Sequence, residues 1–428
     1  MTPRLLLPAL WRRGLLAAAL ALPGGLAAQT IAVAGEGVIR TGDINVLDVQ
    51  AAGLSDSTAV VAWVGCPGET AVCSVWVAEA TLSGGQAVTV GTPREVHATG
   101  DYVSSLKTRA FRGRLYLAWA EAVREGGEEM RAGNVLRSRF RAARYEPGGG
   151  GLTVLQTVED AGFPSFVADG DSIEALYNVV PPQVLGEYSP PPEASVRGAG
   201  GELYRSRQTL PVAVGRVQDA DGTLDVFNTI GGVTCVFEAV SRLPTGGVQH
   251  LIGGRNAAGT FTDPAFDHCD ALAYGVRDGY LLVWRGQPYD GGDEMEYTPP
   301  DGSGSAVLTA VLDRQLAPRV GSRILNDRTE GWQYPVHIEP FGERLLVLWQ
   351  AGDGRAYRFT ALSAETGEAL PPGRSEPVTG RLVDDGLLDQ NNVHFTRVGD
   401  ALVATSVCEV DDVTYVTCIR VVRLSVTE

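Results

Sequence analysis

The chain has 428 residues, among them 53 glycines and 24 prolines, and a formal net charge of −16. So acidic a surface repels nucleic acid and anionic lipid and speaks against both as partners. A hydrophobic content of 44% supplies a sizeable core, and the glycine and proline load, with few long helical patterns, points to an all-β chain.

At the amino end, Arg4, Arg12 and Arg13 lead into the apolar run 15–22. Pro23, Gly24 and Gly25 break that run, and the small residues Ala27 and Ala28 follow. This is the pattern of a secretory signal peptide over residues 1–28. The run is too short to anchor in a bilayer. Arg12 and Arg13 fit ordinary export and also the twin-arginine route. Residues 29–428 are then an exported domain, secreted or periplasmic, with no membrane insertion.

Within that domain one phrase recurs: a short apolar strand closed by a large residue. It ends at Trp63, Trp119, Tyr177, Phe227, Trp284, Trp349 and Thr405, in steps of 50 to 65 residues. Four of the chain's seven tryptophans lie on these anchors. Before most of them comes another strand and a tight Gly- or Asp-containing turn, such as Arg112-Gly113, Asp278-Gly279 and Gly399-Asp400. Such pairs supply the positive φ that two-residue hairpins need. A third strand follows each anchor, at 72–80, 135–145, 202–207, 235–240, 306–312, 356–362 and 413–424, and a weaker fourth ends most repeats.

Repeats of four antiparallel strands at this period predict a single β-propeller of seven four-stranded blades, with six as the alternative count. The continuously apolar anchor strands fit, because both faces of each blade pack on neighbours. The least regular stretch is 164–260. The last repeat runs out of chain after its third strand, and residues 30–39 offer a spare strand to complete it, so the ring is expected to close through the mature amino terminus.

Six cysteines in an exported chain suggest disulfides. Spacing favours Cys66–Cys73 and Cys408–Cys418 across short loops, which leaves Cys235–Cys269; zinc is the rival reading of the same cysteines. The long insertions, 121–134, 181–201 and 286–305, all follow anchor strands and therefore share one end of the ring, where binding is usually placed.

Candidate chemistry lies at the same end. His268, His337 and His394 stand near the start of the first strand in consecutive repeats, with Asp267, Trp332, Tyr334 and Asn391 close by. Convergence at the axis would make a polar pocket, and inter-blade hydrogen bonding by half-buried histidines is the structural alternative. Asp219, Asp221 and Asp225 resemble the calcium loop of integrin-type propeller repeats, so Ca2+ is a possible cofactor there, with a plain Asp-Gly turn as the alternative.

In phrasing, 164–177 followed by 201–207 (Gly201, Glu202, Leu203, Tyr204, Arg205, Ser206, Arg207) resembles the bacterial sialidase-like (BNR-type) propellers, although no S-x-D-x-G-x-T-W Asp box occurs. The resemblance implies a propeller and, as one option, glycoside hydrolysis. The expected function is a ligand-binding module for a glycan or an extracellular protein, acting as a monomer. A sialidase-like hydrolase or lyase and a structural envelope component are the alternatives.

Overall fold

A computed structural model describes residues 30–427 apart from 68–71, 85–86, 99–101, 126–134, 150, 170, 185–193, 207–209, 220, 232–233, 254, 257–258, 261–265, 289–304, 327–332, 352–355, 371–375, 378–392 and 412–415. The chain folds as a seven-bladed β-propeller. Every anchor lies on the second strand of its own blade: Thr58–Pro67, Arg114–Glu125, Ser172–Val179, Gly222–Gly231, Gly279–Pro288, Arg344–Ala351 and Ala401–Asp411.

These strands are apolar on both faces for a physical reason. Side chains alternate between the two faces of a strand, and each face here meets a neighbouring blade. Trp63 therefore packs in the cluster shared by blades 7 and 1, whereas Val60 and Ala62 pack in the one shared by blades 1 and 2. Trp63, Trp119, Trp284 and Trp349 are fully buried.

Blade 7 contains both ends of the described chain. Thr30–Arg40 pairs antiparallel with Val416–Thr427, from Thr30 opposite Thr427 to Arg40 opposite Cys418. Ile31 and Ile39 of this strand are buried. The ring is closed by the amino-terminal strand, as expected. Disulfides join Cys66 to Cys73 and Cys408 to Cys418. The side chains of Cys235 and Cys269 lie outside the described residues. Their strands, Thr234–Arg242 and Phe266–Val276, are linked by a parallel pairing of Val236 with His268.

Blade 3 corrects the sequence reading. Its third strand is Ala194–Gly198, and the stretch expected as third, 202–207, falls in the fourth strand, Gly201–Ser206. Part of the expected insertion 181–201 is therefore blade. Another part, Gln183–Val184, crosses to blade 2 and pairs with Val135 and Leu136.

Blade 1 also has a cross-blade tie. Its outer edge is shared by Val88–Val90 and Arg94–Ala98. From the second of these, His97 reaches Glu121 of blade 2 at 3.3 Å. Glu121 also accepts from Trp119 Nε1 at 2.9 Å, Arg141 Nε at 2.7 Å and Arg139 Nη1 at 3.5 Å.

The innermost strands share a device. Six of the seven carry one extra residue near their start, a β-bulge. In blades 2, 3 and 5 the residue left opposite the bulge is the anchor itself. There the first bulged residue, Ser105, Phe163 or Asp270, takes a left-handed φ of 56°, 51° or 49°.

Candidate functional site

Beyond each bulge the ladder resumes, and the first paired residues form a ring around the axis. They are Asp48, Lys107, Ser165, Ala213, Leu272 and His337. In blade 7, where the strand His394–Val398 has no bulge, His394 is its first residue. The ring is therefore polar over blades 6, 7, 1, 2 and 3 and apolar over blades 4 and 5. Lys107, His337 and His394 lie four residues before the ends of their strands, and Asp48 lies five before its own.

His394 is fixed by the neighbouring blade. Its Nδ1 accepts the backbone N–H of Ala51 in blade 1 at 3.2 Å. A backbone amide can only donate, so Nδ1 is bare and the ring proton sits on Nε2. Burial lowers its pKa to about 3, and the positive potentials of His337 and Lys107 act in the same direction. His394 is thus a neutral imidazole in the physiological range. Thr396 makes a parallel tie, its Oγ1 accepting from Gly53 N at 3.3 Å.

His337 Nε2 donates to Glu339 Oε2 at 2.7 Å, and its ring stacks over Phe395 with ring centres 6.3 Å apart. Glu339, two residues along the same strand, is nearly buried. Tyr274 of blade 5 feels that carboxylate: burial first, and then the Glu339 charge, push its hydroxyl pKa up.

Asp48 faces blade 2. Its Oδ2 accepts from Leu106 N at 2.8 Å, and Gln50 Nε2 donates to Oδ1 at 3.4 Å. Burial pushes its pKa up, against the attraction of Lys107 and these hydrogen bonds. The arc from blade 6 to blade 2 therefore carries a neutral imidazole tied to blade 1, a second histidine held by a carboxylate, a lysine and a half-buried aspartate turned toward blade 2. Lys107 and His337, both partly exposed, are the members of this set that can offer hydrogen bonds to a polar ligand.

Of the residues singled out in the sequence, His337 and His394 are brought together here. Trp332 and Asn391, and the side chains of Asp267, His268 and Tyr334, lie outside the described residues. So does the side chain of Asp219. Asp221 is exposed in the turn, while Asp225 is fully buried. One oxygen of Asp225 accepts from Arg216 Nε at 2.5 Å and the other from Arg242 Nη1. Two guanidinium groups on one carboxylate would repel a calcium ion at that position. Among the described residues, no group of three or more His, Cys, Asp or Glu is placed to hold a metal. Asp48 and Lys107 were missed in the sequence. Their signal was positional: both share the repeat phase of His337 and His394, with a different residue type.

No family model matches the chain, and no curated protein matches it. Solved structures do. Trypanosoma rangeli sialidase is 10% identical with a TM-score of 0.40, over 92% of this chain and 57% of its own. A PL25 ulvan lyase is 8% identical with a TM-score of 0.47, over 92% of this chain and 98% of its own. Sqt1 from Chaetomium thermophilum is 12% identical with a TM-score of 0.44, over 91% and 98%. The chain spans 57% to 59% of the length of the first three sialidase chains it matches. At these identities the likeness is one of fold: this chain is a β-propeller distantly similar to sialidase and to other propellers.

Proposed function

We propose that the chain is an exported recognition module that binds a glycan or an extracellular protein at the axial end bearing the long connections. The observation that carries this reading is the one-sided ring: polar residues of five adjacent blades stand at one register level of the innermost strands, and the apolar residues at that level are confined to two blades. Support also comes from the connections. The turns after six of the innermost strands are two residues long, whereas 126–134 and 289–305 join second to third strands. The leader over 1–28 and the two disulfides fit an oxidising compartment outside the cytoplasm. Among the described residues no helix is long and apolar enough to cross a membrane.

The test is a glycan and extracellular-protein array probed with the mature chain, followed by three variants. Tyr334→Ala and Lys107→Met are expected to lose the captured ligand at least tenfold. Asp278→Asn, in a turn at the opposite end, is expected to keep it. The reverse pattern would place binding on the other end of the ring and end this reading. Conversion of the captured glycan into products would replace recognition by hydrolysis or lysis.

A further inference from the structure

We propose that the cavity between blades 2 and 3 is a binding site for a single neutral pyranose ring. The site is separate from the axial ring and does not depend on it.

The argument starts from what a bulge leaves behind. Each extra residue frees backbone groups from the ladder, and buried amides need partners. At blade 2 the second bulged residue is Leu106, and Asp48 of blade 1 accepts its N–H at 2.8 Å. At blade 5 it is Ala271. Asn228 of blade 4 accepts that N–H at 2.7 Å and donates back to the Ala271 carbonyl at 3.0 Å. In both seams a polar side chain from the preceding blade fills the gap.

The equivalent residue in blade 3 is Pro164. Proline has no N–H, so nothing from blade 2 is required there. The residue of blade 2 that corresponds to Asn228, one past the anchor, is Ala120. Its side chain ends at Cβ, and the space that Asn228 occupies in the other seam stays open. Gly162 keeps it open from the far side: a Cβ built there would come within 3.3 Å of Val180 and 3.9 Å of Ala120.

The result is a cavity of about 240 Å3. Its polar lining is Ser105, Ser138 and Gln183, and its apolar lining includes Phe163, Val180 and Pro181. The wall carrying Gln183 is held in place by the pairing of Gln183 and Val184 with Leu136 and Val135 of blade 2. Two of the left-handed bulge residues, Ser105 of blade 2 and Phe163 of blade 3, belong to the lining.

Size and polarity choose the ligand. A dry cavity of about 150 Å3 takes benzene, so this one takes a six-membered ring with substituents. Among the described residues no charged side chain lines it, and an unpaired charge would be stranded there. An entirely apolar ring would leave two hydroxyls and an amide without partners. A neutral pyranose matches on both counts, with C–H faces for the apolar walls and hydroxyls for Ser105, Ser138 and Gln183.

The mature chain is titrated by calorimetry and saturation-transfer NMR with methyl glycosides of neutral hexoses, with methyl glucuronide as the charged counterpart, and with indole as an apolar ring. A neutral glycoside is expected to bind, and the glucuronide at least tenfold more weakly. Ala120→Leu, which fills the cavity, is expected to weaken the neutral glycoside at least tenfold without lowering the melting temperature. Should that variant fail to fold, Ser138→Ala carries the test, with a severalfold loss expected. Absence of glycoside binding, preference for indole, or parental affinity in the folded variants would overturn the proposal. Loss of the glycoside in Lys107→Met instead would place the sugar at the axis, ending this proposal while leaving the recognition reading intact.

Discussion

Glu121 shows how a carboxylate is kept charged in a propeller interior. Burial alone works to raise its pKa, but the hydrogen bonds from His97, Trp119 and Arg141, with the Arg141 charge, outweigh it and hold the pKa below its ordinary value. Removing the acceptor strands Arg139 and Arg141, each less than a quarter exposed. Glu121→Ala should therefore cost about 3 kcal/mol in urea unfolding. The pH dependence has a definite sign. A depressed folded pKa gives stability that is full above the unfolded value, near 4.5, and is lost as pH falls through the folded one. The stability gap between the parent and Glu121→Gln should narrow as the buffer is taken from pH 6 to pH 3, and a gap that widens would contradict the assignment. Gly399 is constrained in another way. It sits at φ +60° in the last inner turn, and a Cβ there would lie 2.3 Å from the carbonyl oxygen of Asp56 in blade 1. Gly399→Ala should cost about 2 kcal/mol, read as a lowered melting temperature.

Among the strands, what was legible follows from burial. Second strands pack on both faces, so their apolar runs announce themselves, and all seven anchors fall where the repeat put them. Outer strands are half exposed and carry weak patterns. In blade 3 the short Ala194–Gly198 gave no alternation to read, while the next strand did, and the assignment slipped by one strand. The bulges were invisible, since Ser105, Phe163 and Asp270 occupy left-handed positions where a glycine would have been the signal. His337 and His394 were legible as a repeated residue type at a repeated phase; Asp48 and Lys107 share the phase but not the type. The seam between blades 7 and 1 carries its own prediction. The folded pKa of His394, about 3, lies below its ordinary 6.5. The unfolded chain then takes up a proton that the folded one refuses. Stability should be complete above pH 6.5 and fall as pH drops toward 3, by up to about 1.4 kcal/mol per pH unit. His394→Gln, which retains an acceptor for Ala51, should flatten this slope in urea midpoints measured across that window.

At the scale of the whole molecule, closure rests on one strand. Thr30–Arg40 places Ile31 in the core between blades 6 and 7 and Ile39 in the core between blades 7 and 1. Each buried isoleucine is worth roughly 1.5–3 kcal/mol, and the strand also covers the edge of Val416–Thr427. A chain beginning at residue 41 should melt at a markedly lower temperature and self-associate through the bared edge, which size-exclusion chromatography would detect. An unchanged melting point would mean that the ring does not need this strand. The same closure sets an order of events. Among the strands of the ring, the first one made takes its partner from the last one made. Folding of blade 7 cannot proceed along with synthesis, and the amino-terminal segment must stay unpaired while six blades assemble behind it. In a chain whose first and last strands meet only at the end, the vulnerable species is the nearly complete one, with an apolar strand still searching for its edge.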